Sequence, residues 1–254
     1  PLRQPKMPAH ARGSIMGSVG DGLKAGNASW TFGGGTAAQF DEHVSKSVPF
    51  YLEGHQLVCA LSDFFVKPGS TVYEIGCSTG ALTCKLAQHH AGRKEVRFVG
   101  LDLEAEMVAV ADKRRNELEL ANVSFCVDDA LLHAYEPADL VVAYYTVQFV
   151  RPSHRQQLFD LVYRTLNWGG AFVLFEKVRA PDARFQDIAT TLYSDYKLQR
   201  GYSAEEIVSK TRSLKGVLEP FSTQGNLDLL ARAGFVDTMT VMKYICFEGF
   251  LAIK

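Results

Sequence analysis

Acidic residues follow three apolar segments at positions where parallel strands would end. Glu74 lies near the end of the first segment, Asp102 closes the second, and Asp128 and Asp129 close the third. Ligands of open parallel sheets bind beyond the carboxyl ends of the strands, so these acids are expected to meet at one edge of a sheet. The pattern predicts a site for a nucleotide whose hydroxyl and amino groups bind carboxylates.

The turn after the first apolar segment reads Gly76-Cys77-Ser78-Thr79-Gly80. This G-x-x-x-G spacing lacks the third glycine of the dinucleotide fingerprint and the Gly-Lys-Ser/Thr ending of a P-loop, so pyrophosphate ligands are disfavoured. The two glycines would let the backbone approach a ligand more closely than a Cβ permits. Such a turn is weak evidence alone, because glycines at strand-to-helix turns are often only steric. Combined with the acids, it resembles the class I S-adenosylmethionine (SAM)-dependent methyltransferases.

An adenosine ligand with a charged tail gives the acids distinct roles. Asp102 is placed to accept both ribose hydroxyls, and Asp129 with the amide of Ala130 is placed to read the adenine edge. Glu74 is better suited to support the site from behind the ligand.

Strand-like and helix-like segments alternate between residues 71 and 177. The alternation predicts an α/β, Rossmann-like methyltransferase fold with a mostly parallel sheet and helices on both faces. Two C-terminal segments, 236–244 and 246–253, are close enough to pair as an antiparallel hairpin at the sheet edge. Helical periodicity over 37–65 predicts a cap on the ligand side, and 181–221 forms a largely helical insertion.

Composition favours a single domain with small-molecule partners. Residues 1–27 are rich in Gly, Pro, Lys and Arg and are expected to form a mobile arm, with one SAM-binding catalytic domain over 28–254. A net charge of -1 without a long basic run disfavours nucleic acid. The five cysteines lack Cys-x-x-Cys spacing, so no metal site or disulfide framework is expected. No apolar stretch is long enough to span a membrane, and we expect a cytoplasmic protein.

Short motifs along the chain narrow the resemblance. They are Trp30-Thr31-Phe32, Ser47-Val48-Pro49-x-Tyr51, Val66-x-Pro68-Gly69, Gly76-Cys77-Ser78-x-Gly80, Thr146-Val147-Gln148-Phe149, Asn167-x-Gly169-Gly170-Ala171 and Gly201-Tyr202-Ser203-x-x-Glu206-Ile207. Together they resemble carboxy-S-adenosylmethionine synthases, which make a modified SAM from SAM and prephenate for tRNA modification. The resemblance runs from about Trp30 to the C-terminus and implies a homodimer whose insertion helps to close the pocket.

The resemblance also places residues around SAM. Tyr51 and Gly76 are expected at the methionyl end, Asp102 at the ribose and Asp129 at the adenine. The full set predicted to bind SAM is Tyr51, Glu74, Gly76, Cys77, Ser78, Gly80, Asp102, Leu103, Asp129, Ala130 and Tyr144.

Two positions depart from the pattern of the synthases. In that family an asparagine precedes the aromatic-Thr-x-Gln-Phe segment and an arginine follows a lysine beyond Gly-Tyr-Ser, and both hold the carboxylate carried on sulfur. The corresponding residues here are Tyr144 and Thr211. Arg212 is one residue along, and one helical step turns a side chain by roughly 100°. Because a carboxylate without a partner is unfavourable in a closed pocket, carboxy-SAM synthesis is the minor interpretation.

Aromatic residues take the place of the polar pair. Tyr144 and Tyr145 end the fourth strand, and the resemblance brings Tyr51 and Tyr202 near them. Aromatic faces stabilise a cation by roughly 0.5 to 2 kcal/mol. We predict that Tyr144, Tyr145 and Tyr202 are catalytic, and packing in the core is the competing interpretation for the first two.

Other polar residues receive weaker assignments. His43 and His55 lie on the cap and are the only histidines expected to reach the pocket. Glu176 and Lys177 end the fifth strand, where they face the ligand or form an ion pair at the edge.

Three functions fit these residues. In the leading one, the α-amino group of SAM attacks its own γ-carbon, which expels methylthioadenosine and forms azetidine-2-carboxylate. The second is methyl transfer from SAM to a small molecule. The third, SAM binding without catalysis, is disfavoured because the insertion resembles that of enzymes acting on SAM.

Overall fold

The seven strands of the described residues belong to one sheet. The computed structural model describes residues 40–93 and 95–254, and the predicted arm and the Trp30 motif lie outside them. The strand order is β3-β2-β1-β4-β5-β7-β6. The first five strands are parallel, whereas β7 runs antiparallel to both β5 and β6. The predicted Rossmann-like architecture and its C-terminal antiparallel hairpin are therefore confirmed.

Helices and strands alternate through the core, as the sequence predicts. The strands are β1 Thr71–Ile75, β2 Arg97–Asp102, β3 Val123–Val127, β4 Ala138–Tyr144, β5 Leu166–Lys177, β6 Asp237–Tyr244 and β7 Phe247–Ile253. The helices are α1 Phe40–Ser47, α2 Tyr51–Ser62, α3 Ala81–His89, α4 Ala105–Glu117, α5 Pro152–Thr165, α6 Ala183–Gln199, α7 Ala204–Ser213 and α8 Thr223–Ala233. Helices α1 and α2 form the cap, and α6 and α7 form the insertion.

The core covers both faces of the sheet. Every residue of β4 is buried, and its side chains alternate between two apolar clusters, with Val142 in one and Val141 in the other. A strand buried on both faces explains why β4 reads as a continuous apolar run. This rigid centre carries Tyr144 and Tyr145 at its carboxyl end.

Among the element boundaries that differ from those expected from the sequence, three show a physical cause. Helix α4 ends at Glu117 and not at Leu120, because Glu119 takes a left-handed conformation with φ 53°. Strand β5 begins at Leu166 and not after the glycine pair, because Gly169 N–H donates to Lys254 O and Gly170 O accepts from Lys254 N–H. Helix α8 begins at Thr223, with Ser222 as its N-cap.

Within the described residues, no helix is long and apolar enough to cross a membrane.

Candidate functional site

The carboxyl ends of β1, β2 and β4 meet where the strand order reverses. Ile75 of β1 lies between Leu101 of β2 and Ala143 of β4 in register. In open α/β sheets such a switch point leaves a crevice in which ligands bind. The structure therefore brings together the Gly76–Gly80 turn, Asp102 and the Tyr144–Tyr145 pair.

Asp102 is held by the backbone on both of its oxygens. Its Oδ2 accepts from Ser78 N–H at 2.8 Å and its Oδ1 from Glu104 N–H at 3.0 Å. Burial nevertheless raises the pKa of Asp102 above its usual value. The carboxylate is thus fixed against the glycine turn and keeps acceptor capacity for the hydroxyls of a ribose.

The two glycines of the turn are required by the protein as well as by any ligand. Gly76 and Gly80 have φ of 71° and 69°, in the left-handed region. A Cβ on Gly76 would overlap the side chain of Thr146, and one on Gly80 would overlap the ring of Phe125. The structure therefore gives a packing reason for both glycines, where the sequence suggested close approach to the ligand. Cys77 between them is buried, and Ser78 takes a φ of 51°.

The acids after β3 lie next to Asp102. Asp128 N–H donates to Asp102 O at 3.0 Å, and the Asp128 carboxylate binds Asp129 N–H and His133 Nδ1. Asp129 Oδ1 accepts from Leu131 N–H. Leu103 is 67% exposed beside these acids, and Ala130 is half-buried. An adenine contact for these residues stays a prediction. The geometry offers the Leu103 side chain as an apolar contact for the ring and the Asp129 carboxylate as an acceptor.

Glu74 faces α3. It is buried and accepts a hydrogen bond from Thr83 Oγ1, while burial raises its pKa to about 8. This geometry matches a supporting role behind the ligand.

The cap is tied to the glycine turn through Asp41 of α1. Asp41 Oδ1 accepts from Thr79 Oγ1 at 2.6 Å, and Oδ2 pairs with Arg114 at 2.5 Å. Arg114 also donates to Thr79 O. Sequence reasoning missed this contact because Asp41 lies 38 residues before Thr79.

Aromatic rings form a wall at the end of β4. The ring of Tyr51 lies 5.2 Å from that of Tyr144 and 6.3 Å from that of Tyr145. The ring of His55 lies 4.8 Å from Tyr144. We call these four residues the tyrosine cluster, and its members come from α2 and the end of β4. Tyr145 has a φ of 59°, so its side chain leaves the regular alternation of the strand.

The titratable side chains of the tyrosine cluster are neutral. Burial raises the pKa of Tyr144 and of Tyr145 well above the usual value for tyrosine, and lowers that of His55 to about 3. Tyr144 Oη donates to Tyr51 O at 2.7 Å. Within the described residues Tyr145 Oη and His55 Nε2 have no hydrogen-bond partner. The raised pKa argues against either tyrosine as the acceptor of a substrate proton, which is one way in which they could be catalytic.

Tyr202 lies at the joint between cap and insertion. Its hydroxyl lies 2.9 Å from Ser47 Oγ, and its ring makes an edge contact with His43. Tyr202 thus contacts the cap through Ser47 and His43, and its catalytic role stays a prediction. Lys210 contacts both His43 and Ser47 at this joint.

The two residues that depart from the synthase pattern make other hydrogen bonds here. Tyr144 Oη is bonded to the cap backbone, and Thr211 Oγ1 donates to Ile207 O of its own helix at 2.7 Å. Thr211 and Arg212 are both exposed.

Glu176 and Lys177 make no ion pair with each other. Glu176 is buried, and burial raises its pKa to about 8, with the charge of Arg155 opposing the shift. Lys177 Nζ instead lies 4.5 Å from the ring centroid of Tyr193 in the insertion. Sequence reasoning missed Tyr193 because only the folded insertion brings it to β5.

The described residues include one group with metal-ligand geometry. Asp63, His89 and His90 place their ligand atoms within 4.8 Å of one another, at the ends of α2 and α3. A helix that follows a parallel strand runs back toward the amino ends of the strands. The group at the end of α3 therefore lies away from the crevice at their carboxyl ends. Arg93 already pairs with Asp63.

Comparison with known proteins agrees with this geometry. A methyltransferase-domain family model matches residues 72–170. The carboxy-S-adenosyl-L-methionine synthase of Staphylococcus epidermidis is 35% identical over 226 residues, which cover 89% of this chain and 97% of that protein. The corresponding synthase of Campylobacter lari is 32% identical over 223 residues, covering 88% of this chain and 94% of that protein.

Solved structures show the same fold at low identity. The methyltransferase SibL in its apo form has a TM-score of 0.61 at 16% identity and covers 87% of this chain and 59% of its own. Human N-acetylserotonin methyltransferase in complex with SAM has a TM-score of 0.57 at 19% identity and covers 87% of this chain and 56% of its own. The chain is a SAM-dependent enzyme of the methyltransferase fold, and it belongs to the carboxy-S-adenosyl-L-methionine synthase family.

Proposed function

We propose that this enzyme uses SAM as its only substrate and cyclises it to azetidine-2-carboxylate and methylthioadenosine. The observation that carries the proposal is the tyrosine cluster beside the Gly76 turn. Tyr144 stands where the synthases have asparagine, and its hydroxyl is committed to Tyr51 O. The residue therefore has no free donor for a second carboxylate, and we assign its ring, packed against Tyr51 and Tyr145, to the wall that faces the sulfonium.

The reaction needs a folded methionyl chain and no external acceptor. The neutral α-amino nitrogen attacks the γ-carbon, and the bond from that carbon to sulfur breaks with its electrons going to sulfur. The products are a protonated azetidine and neutral methylthioadenosine. Because the nitrogen and the carbon belong to one molecule, the enzyme contributes by holding the methionyl chain in the folded conformation in which they meet.

An aromatic wall suits the movement of charge in this step. Positive charge leaves sulfur and develops on nitrogen, so ring faces that reach both atoms stabilise it throughout, by roughly 0.5 to 2 kcal/mol. Tyr145 Oη lacks a partner among the described residues and is available to orient the amine. Because both tyrosines are neutral, the amine loses its proton to water before the pocket closes.

Carboxy-SAM synthesis from SAM and prephenate is the second candidate. The relatives named as carboxy-SAM synthases favour it, since they align over nearly their whole length. The positions of Tyr144 and Thr211 weigh against it, because neither side chain supplies a donor to the carboxylate on sulfur.

Product analysis distinguishes the candidates. Purified enzyme is incubated with SAM alone and with SAM plus prephenate, beside controls without enzyme, and the products are identified by mass spectrometry. We expect methylthioadenosine and azetidine-2-carboxylate in both mixtures at equal rates. Carboxy-SAM formed only with prephenate would establish the second candidate, and S-adenosylhomocysteine formed with an added acceptor would establish methyl transfer.

A further inference from the structure

Two lysines share one half-buried aromatic ring at the carboxyl edge of the sheet. Lys177 Nζ lies 4.5 Å from the ring centroid of Tyr193, and Lys197 Nζ lies 4.3 Å from it. Lys197 is only 7% exposed. Burial is the main cause that lowers the pKa of both lysines. We call Lys177 and Lys197 the lysine pair, and Tyr193 supplies the ring that they share.

This group lies next to the tyrosine cluster. Tyr193 packs against Phe247 at 5.1 Å, and Phe247 packs against Tyr145 at 5.8 Å. Tyr193 Oη donates to Ser47 O of the cap at 2.9 Å. The lysine pair therefore sits where β5, the insertion and the cap meet, beside the crevice.

Neither lysine has an acidic partner among the described residues. The carboxylates nearest in sequence are Glu176, whose charge interactions involve Arg155, and Asp195, which is exposed on α6. Cys246 is close to both lysines, but burial raises the pKa of its thiol and keeps it neutral. The sequence before residue 40 contains a single acid, Asp21. Buried ammonium groups are normally paired, so buried Lys197 beside half-buried Lys177, without a carboxylate for either, indicates a missing anion.

Neighbouring groups also lack acceptors. Within the described residues the buried hydroxyls of Tyr145 and Tyr196 have no hydrogen-bond partner. The ring of Tyr196 stacks on that of Tyr193 at 6.5 Å. Two cations and two unpaired hydroxyls in one region suit a ligand that carries several acceptor oxygens.

We propose that Lys177 and Lys197 bind a carboxylate of the substrate. The inference deepens the proposed function, because it concerns the same crevice and rests on SAM chemistry taking place there. The carboxylate comes either from the methionyl end of SAM itself or from a separate organic acid bound beside it.

The charge of the pair makes this binding depend on pH. Burial together with the neighbouring Lys177 lowers the pKa of Lys197 to about 8. The titratable groups facing Lys197 are Lys177 from β5, Cys246 from the turn between β6 and β7, and Tyr193 and Tyr196 from its own helix. A bound carboxylate favours protonated Lys197, so its affinity is highest below pH 8 and falls above it.

Calorimetric titration of the full chain tests the proposal. The variants are Lys197→Met and Lys177→Met, with Lys113→Met on the exposed face of α4 as the matched control. The probes are SAM, decarboxylated SAM and, for the SAM-loaded enzyme, prephenate. Folding is checked by thermal unfolding, and Lys197→Gln replaces any variant that does not fold.

Two results support the proposal and separate the sources of the carboxylate. If SAM supplies it, both lysine variants bind SAM roughly 10- to 100-fold more weakly, while decarboxylated SAM binds wild type and variants equally. If a separate acid supplies it, SAM affinity is unchanged and prephenate binding is lost. Unchanged binding of both SAM and prephenate in the two lysine variants would overturn the proposal. These readouts need no turnover, so a failure to form azetidine-2-carboxylate leaves them decisive.

Discussion

The side chain of Tyr144 has both a ring and a hydroxyl, and the structure assigns them separate tasks. The hydroxyl donates to Tyr51 O, and the ring faces Tyr51, Tyr145 and His55. Substitutions that remove the hydroxyl alone, or the hydroxyl and the ring together, therefore tell whether Tyr144 acts in catalysis or in packing.

Tyr144→Phe keeps the ring and removes the hydroxyl. We expect turnover to be largely retained and the free energy of unfolding to fall by about 1 kcal/mol, because Tyr51 O loses its donor. Tyr144→Ala should abolish turnover and cost about 3 to 5 kcal/mol of stability. Steady-state kinetics and denaturant unfolding measure both effects. Equal loss of turnover in the two variants would instead assign the chemical role to the hydroxyl.

Glu74 makes the stability of the protein depend on pH. Its pKa is about 8 in the folded protein and near 4.5 when exposed, so between these values the folded state holds a proton that the unfolded state lacks. Stability therefore falls as pH rises from 4.5 to 8. Glu74→Gln removes this term, and its stability relative to wild type should rise by roughly 1 to 3 kcal/mol between pH 5 and pH 9. A constant difference in unfolding free energy across that range would contradict the prediction.

Site residues that lie at the ends of neighbouring strands could be predicted from the sequence. Contacts between parts of the chain that are distant in sequence could not. The Gly76–Gly80 turn and Asp102 meet because parallel strands end at one edge, which a pattern of apolar segments reveals. The contacts of Asp41 with Thr79 and of Lys177 with the Tyr193 ring depend on how cap and insertion fold back. Local sequence carries no signal for such long-range contacts.

At the scale of elements, the cap helix α2 is seated on the sheet by one close approach. A Cβ on Gly54 would overlap Tyr144 Oη, with the ring carbons beyond it. The helix therefore packs against β4 at a distance that only glycine allows.

Gly54→Ala should destabilise the protein by about 1 to 3 kcal/mol, because the new methyl group forces α2 away from the sheet. In a Tyr144→Phe background the cost should be smaller, since the overlapping oxygen is gone. A double-mutant cycle of unfolding free energies measures this coupling. Equal costs in the two backgrounds would show that the helix does not rest on the hydroxyl.

Element types followed from the sequence more faithfully than element ends. Glycine signals at Gly169 and Gly170 predicted a turn before β5, but pairing with Lys254 extends the strand through them. Ser222 caps α8, so the helix begins at Thr223, four residues before the apolar periodicity starts at Leu227. In both cases a hydrogen bond set the boundary, whereas apolar periodicity set only the interior.

At the scale of the whole molecule, the crevice couples ligand binding to folding. The Gly76 turn, Asp102 and the cap belong to separate elements that SAM would hold together. SAM at about 100 times its Kd should stabilise the fold by roughly 2.7 kcal/mol and raise Tm by about 5 to 10 °C. Asp102→Ala should remove most of this shift, and an unchanged shift would place SAM elsewhere.

The resemblance to the synthases also predicts a homodimer. We propose that two chains associate in solution, and analytical ultracentrifugation should give a mass near twice the 28.1 kDa of one chain. A species at the mass of one chain at micromolar concentration would contradict the proposal.

In the proposed function, SAM alone is turned over through its own amine. The most direct measurement is incubation of the enzyme with SAM labelled with ¹⁵N at the α-amino group, without any other substrate, followed by quantitative mass spectrometry. The account predicts ¹⁵N-labelled azetidine-2-carboxylate and methylthioadenosine in a one-to-one ratio, formed faster than in the control without enzyme. Methylthioadenosine no faster than in the control, or accompanied by labelled homoserine in place of the azetidine, would contradict it.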